Sequence, residues 1–129
     1  MNIVKGLVID TPHVDNIMSG RKTWELRSTA TKQRGPVALI RKGSGQIVGL
    51  AEIVDAIGPL TDQQLSDGMD KHLRTVERMN DPAVAKYRYA WVLEGARKLR
   101  HPVPYKHPSG AVIWVNLASE TAAQVLSAL

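Results

Sequence analysis

The chain of 129 residues contains no cysteine and no phenylalanine. Without thiols it can form no disulfide, thiolate nucleophile or cysteine-ligated zinc site. Aromatic residues are scarce as well: three tryptophans and three tyrosines are too few for the ladder of rings by which extended sheets stack single strands. No apolar run is long enough to cross a bilayer, and the start, Met1-Asn2-Ile3-Val4-Lys5-Gly6, carries no signal-peptide core. These absences lead to the expectation of a soluble, cytoplasmic protein with no membrane partner. The four histidines, His13, His72, His101 and His107, stand at no metal-type spacing, so no metal site is expected. Nucleophile elbow, phosphate-cradling Gly-Lys-Ser/Thr loop and dinucleotide fingerprint are all missing.

Acidic charge is also short. There are 17 Lys and Arg against 12 Asp and Glu, a formal net charge of +5. The excess is concentrated. Residues 1–42 hold eight basic residues against three acidic ones, and the remaining 87 residues balance at nine of each. A basic field focused on one third of a chain attracts polyanions and speeds their encounter. The same charge also serves solubility. Residues 1–129 read as a single domain, because nothing suggests a second core, and a chain of this size buries enough surface to fold without staples.

Read for organisation, the chain offers short strands with helices between them. Leu7-Val8-Ile9 marks a first strand over 5–9, and Thr11-Pro12 reads as a helix start, with Thr11 as the cap and Pro12 at the first helical position. Val14, Ile17 and Met18 share a helical face, and Gly20 stands where a left-handed residue ends a helix. Trp24 to Leu26 begins the next strand. A hairpin is expected from strands over 36–40 and 46–54 about Lys42-Gly43-Ser44-Gly45. Thr61 is a cap for a helix through Leu65 that is interrupted near Gly68. Residues 70–79 resume helical spacing with Leu73, Val76 and Met79 as the apolar face. Pro82 then separates a short helix or turn over 84–86. A strand over 89–93, an extended loop held by Pro102, Pro104 and Pro108, a strand over 111–117 and a helix capped by Ser119 complete the reading. Six or so short strands with helices inserted argue for a small mixed barrel, mainly β in an α+β arrangement, with helices at the rim.

The chemistry concentrates in Gly20-Arg21-Lys22-Thr23-Trp24-Glu25-Leu26-Arg27. Two cations, an indole, a carboxylate and a third cation occupy one turn and strand. Glu25 and Arg27 are two apart in a strand and project to one face, where Lys22 in the preceding turn can join them. An exposed Glu25–Arg27 pair that merely neutralises itself, contributing only about 0–1 kcal/mol, is the plainer reading. Lys22 acts as a base only where its pKa falls through burial or neighbouring cations. Glu25 opposes that shift, which favours Lys22 as a fixed cation for phosphate or a polarised carbonyl. Alternation with Leu26 favours a core position for Trp24, and Trp91 and Trp114 sit among apolar neighbours that favour the core as well. His107 lies in a proline-fixed loop just before the last strand, and His72 on the helical insertion.

With these residues in place, the chain resembles the ASCH domains, a family of the PUA-like superfold. Gly20-Arg21-Lys22-Thr23-Trp24-Glu25-Leu26-Arg27 is similar to that family's Gly-x-Lys-x-x-Glu-x-Arg signature after a short helix. Arg34 to Ile40, Ile47 to Val54, His72 in the insertion, Tyr89 to Leu93, Pro102 to Lys106 and Gly110 to Trp114 follow in the family's order. The resemblance implies a β-barrel of five to six strands with helices at its rim, a cleft lined by the signature, and RNA or a nucleotide as partner, with no cofactor. Family members include ribonucleases and a branch that hydrolyses acyl groups from modified cytidines with a Lys, a Thr and a Glu. Here Lys22 stands at the lysine position, Glu25 at the threonine position, and Glu77 in the insertion is the candidate acid. The candidate ligand-binding set is Arg21, Lys22, Glu25, Arg27, His72 and His107, with Lys22 and Glu25 as candidate catalytic residues.

Overall fold

The computed structural model describes residues 1–129. The strands are β1 (Lys5–Ile9), β2 (Trp24–Arg27), β3 (Gly35–Arg41), β4 (Gln46–Ile57), β5 (Tyr89–Pro104) and β6 (Trp114–Asn116). Five helices are interspersed: α1 (His13–Met18), α2 (Asp62–Asp67), α3 (Met69–His72), α4 (Val76–Met79) and α5 (Ser119–Ser127), with a 3-10 turn at Pro82–Val84. The strands form one mixed sheet in the order β2-β5-β4-β3-β1-β6. Only β1 and β3 run parallel.

Alternation along the strands divides the core between two faces. Leu7 and Ile9 of β1 and Leu39 of β3 pack with Val14 and Ile17 of α1. Val8, Ala38 and Ile40 point the other way and pack with Val125 of α5 and with Ala128 just beyond it. Both faces of these strands are therefore dry, which is why they read as continuous apolar runs rather than as alternating ones. A third cluster, Leu26, Leu60, Leu65 and Ala90, sits under the insertion between β4 and β5.

Three register shifts interrupt the β4–β5 ladder, and such bulges bend the strands that carry them. The two ends of the sheet consequently approach without pairing. Side chains close the gap: Arg27 on β2 donates to the Val8 carbonyl on β1 at 2.9 Å, and Trp91 on β5 stacks on Trp114 on β6 at 5.6 Å. The result is a half-barrel with an open seam.

Several local expectations are corrected. Thr11 does not cap α1; Pro12 occupies that position, and the Thr11 hydroxyl accepts a bond from Arg41. That guanidinium also grips Asp15, so a tertiary contact has claimed the hydroxyl. Residues 70–79 are not one helix. Leu73 adopts a left-handed conformation with φ 61°, and α4 restarts with Thr75 capping Arg78. Leu73 and Val76 are thereby left 39 % and 53 % exposed rather than forming an apolar face. Pro102 and Pro104 lie in β5, not in a loop. β2 pairs with β5 only as far as Val92, so the other edge of the strand there carries no ladder to lose. The last strand spans three residues, and Val112 and Ile113 before it are exposed. Ser119 lies inside the first turn of α5, behind Ala118. Gly20 behaves as expected, closing α1 at φ 82°, and Thr61 forms a full capping box with Gln64.

Candidate functional site

The seam opens into a cleft of about 690 Å³. Its floor is built by the turn between α1 and β2, which three backbone bonds pin to three different elements. The Lys22 amide donates to Asn16 on α1, the Thr23 amide donates to Lys71 on α3, and the Thr23 carbonyl accepts from Leu93 on β5. Gly68 allows the following Trp24 to seat: a Cβ there would stand 2.6 Å from the indole.

Lys22, Glu25 and Arg27 do converge. The Lys22 ammonium lies 3.1 Å from Glu25 Oε1, and Arg27 Nη2 lies 2.9 Å from Glu25 Oε2. Lys22 and Glu25 are only 3 % and 6 % exposed. The ammonium also donates to His13 Nδ1 at 3.2 Å. Burial lowers the Lys22 pKa below its ordinary value. The Glu25 carboxylate opposes the shift, while Arg74 and Arg27 reinforce it. For Glu25 burial acts to raise the pKa, but the charges and hydrogen bonds of Lys22 and Arg27 outweigh it and hold the carboxyl below its ordinary value. His13 is pushed down by burial and by Lys22, which keeps Nδ1 free to accept. No buried side-chain nitrogen or oxygen lacks a partner. The floor is thus satisfied from within.

The walls differ. Trp91 backs one side from within the core, only 2 % exposed, with the Arg27 guanidinium 5.3 Å from its ring and the indole nitrogen donating to the Thr29 carbonyl. Arg74, Arg78, Lys86 and Tyr87 arrive from the insertion, and Lys42 from the β3–β4 turn. In all, six Lys and Arg side chains line the cleft against two carboxylates, Asp10 and Glu25. Arg78 is paired with Asp81. Arg74, Lys42 and Lys86 make no ion pair.

The other expected site residues fall elsewhere. Arg21 is exposed and holds Asn16. His72 is buried behind the wall: its Nε2 donates to the Leu65 carbonyl at 2.7 Å and its Nδ1 accepts the Arg74 amide at 2.9 Å. It therefore shapes the left-handed turn that delivers Arg74 to the cleft and does not line the cleft itself. Glu77 is exposed on α4 and outside the lining. His107 borders a neighbouring cavity. His13, Lys42, Arg74, Lys86 and Tyr87 are cleft residues that sequence reasoning did not select. Only His13, nine residues ahead of Lys22 on the helix leading to the motif, carried a usable signal. No group of His, Asp and Glu side chains is arranged to hold a metal ion, and no helix is long and apolar enough to cross a membrane.

A half-barrel of six mixed strands with helices at its rim and a basic cleft at its seam defines a small α+β domain of the PUA-like kind. The chain belongs to the ASCH domain family, whose model matches residues 7–103. Among solved structures, it is similar to an ASCH protein from Zymomonas mobilis, with 13 % identity, a TM-score of 0.70, and 95 % of this chain and 93 % of that one covered. A serine-to-alanine mutant of the Zymomonas mobilis protein matches at 13 % identity and TM-score 0.70, covering 95 % of this chain and 94 % of that one. A tyrosine-to-phenylalanine mutant matches at 12 % identity and TM-score 0.69, covering 95 % and 96 %. At such identities the likeness is one of fold. No curated protein matches the chain in sequence.

Proposed function

We propose that this protein is an RNA- or nucleotide-binding domain whose ligand lies in the seam cleft. The observation that carries the reading is the charge of that cleft, six cations against two carboxylates. Phosphate is met by Arg74, Lys42 and Lys86, which have no carboxylate partner, and a base finds an apolar surface at Tyr87 and the exposed Ile113. Lys22 and Arg27 are engaged by Glu25. Their role is to fix the floor and present the outer edge of the Arg27 guanidinium, and Glu25 holds them rather than reading a ligand donor. Filter binding of labelled single-stranded RNA in rising salt tests this. Affinity falls with a log–log slope of about −0.7 per phosphate neutralised. A flat response rejects the phosphate contacts.

One observation favours a second reading, a metal-independent ribonuclease or an amidohydrolase acting on a modified nucleoside such as N4-acetylcytidine. A buried amine held below its ordinary pKa beside a histidine nitrogen suits proton transfer. Incubation with labelled RNA and with N4-acetylcytidine in chelator decides it: turnover lost in Lys22→Ala supports the reading, and turnover unaltered in that variant rejects it.

A further inference from the structure

Beside the seam cleft lies a second cavity of about 440 Å³, lined by Val8, Lys42, Gly43, Gly45, Tyr105, His107, Ala111 and Val112. Val8, Lys42 and Val112 border both cavities. The two hollows are therefore neighbours, and their shared border carries a cation. Val112 on that border is 71 % exposed, an apolar side chain left open to solvent. We infer that the second cavity is a subsite for the adjoining nucleotide of a single strand, so that the ligand of this domain is an oligonucleotide of at least two linked units. The inference rests on the seam cleft being a nucleotide site.

The wall of the second cavity is a fixed ring. His107 is held at both ends: its Nε2 donates to the Ala111 carbonyl at 2.8 Å, and its Nδ1 accepts the Tyr105 hydroxyl at 2.7 Å. The Tyr105 and His107 rings meet edge to face at 5.7 Å. Burial raises the Tyr105 pKa, which keeps the hydroxyl a donor. A ring clamped in this way loses little freedom when a base stacks on it, and stacking is tolerant of base identity because every base has a π face. The opposite wall is the β3–β4 turn, where Gly43 and Gly45 take φ of 77° and 67° and nothing lies within 4 Å of where a Cβ would stand at either. That wall is bare backbone with room beside it. Lys42, reaching both hollows, is placed to meet the phosphate that joins two nucleotides. The two cavities together match a chain of alternating bases and phosphates better than they match a lone nucleoside.

The test compares three probes by titration calorimetry: uridine monophosphate, the dinucleotide pUpU, and the pUpU analogue whose second base is replaced by hydrogen. The analogue keeps the phosphates and removes the second ring. The expected result is that pUpU binds about tenfold or more tightly than the analogue, as one stacked base provides, and that His107→Ala abolishes the difference. Tyr105→Phe, which removes the hydroxyl that clamps His107 and keeps the ring, is expected to reduce the difference in part. Equal affinity of pUpU and the analogue overturns the subsite while leaving the seam cleft intact, as does a difference that survives His107→Ala. Failure of all three probes to bind overturns the nucleotide reading of the seam cleft, and the subsite with it. Circular dichroism of each variant confirms that a lost difference reflects the ring and not the fold.

Discussion

On the floor of the cleft Lys22, Glu25 and Arg27 are withdrawn from water and answer one another's charge, whereas Arg74, Lys42 and Lys86 at the rim face the same hollow with no carboxylate against them. The floor obeys the economics of buried ions, in which desolvation is tolerated only because each charge is paired and hydrogen-bonded. At the rim Lys42 and Lys86 obey the rules of exposed charge, which contributes little to stability and a great deal to long-range attraction, and the half-buried Arg74 rests against Tyr87. A conspicuous motif can therefore be the framework of a site, while the groups free to engage a ligand come from less conspicuous segments.

Removing the shared carboxylate should give the largest effect. Glu25→Ala strands the buried Lys22 ammonium and leaves the half-buried Arg27 with only its bond to the Val8 carbonyl, and is expected to destabilise the fold by about 3–5 kcal/mol in urea unfolding. Lys22→Met should cost less, because Glu25 keeps Arg27. Equal losses in the two variants would show that the trio is not organised around its acid. Gly68→Ala drives a Cβ to 2.6 Å from the Trp24 ring and should cost about 1–3 kcal/mol, with a change in tryptophan fluorescence that reports displacement of the indole. An unmoved spectrum would separate the seat of Trp24 from the floor.

Acidification provides a third probe of the same boundary. Burial lowers the His72 pKa from its ordinary value of 6.5, so on acidification the unfolded chain takes up the proton first. Stability should be complete above pH 6.5 and decline as the pH falls from there towards the lowered value. His72→Gln should reduce that decline, and what remains belongs to His13, whose pKa is lowered by burial and by Lys22. Glu25, also held below its ordinary value, contributes stability in a lower window, present above the ordinary carboxyl range and lost as the pH falls through the folded-state value. A urea midpoint that changes through the histidine window by the same amount in wild type and His72→Gln would mean that the His72 imidazole is not held neutral behind Arg74. The smallest effect on stability is expected at the rim. Arg74→Ala should change it by no more than about 1 kcal/mol, the scale of its contact with Tyr87, yet reduce the salt dependence of RNA binding by about 0.7 in slope. A stability loss as large as that of Glu25→Ala would erase the distinction between floor and rim.

Much of the fold was legible because local chemistry and global arrangement agree. Gly20, the Gly43 and Gly45 turn, and the Thr61 cap each sit where the chain must reverse or begin a helix, and the apolar run Leu7-Val8-Ile9 marked the first strand, though only the structure sorted its two faces. The failures have a common cause. Thr11 was available as a cap until Arg41 took its hydroxyl. The 70–79 segment had helical spacing, but His72 and Thr75 offered the backbone better partners than a continuous helix did. Pro102 and Pro104 signalled a loop, but the edge they occupy is one on which a missing donor does no harm. His72 and Arg21 were drawn into the candidate site by proximity to the motif or by type, and the structure uses both to hold other residues.

What the sequence settled alone was the class of strand and helix, the turn chemistry and the presence of Lys22, Glu25 and Arg27 on one short segment, because spacing of two or three residues dictates direction within an element. Only the tertiary structure decided that Arg74, Lys86 and Lys42, far apart along the chain, surround that segment, and that the trio pairs inward while they face the hollow. Burial and the bend of β4 and β5 set those outcomes, since desolvation depends on everything packed around a group and no local pattern encodes it.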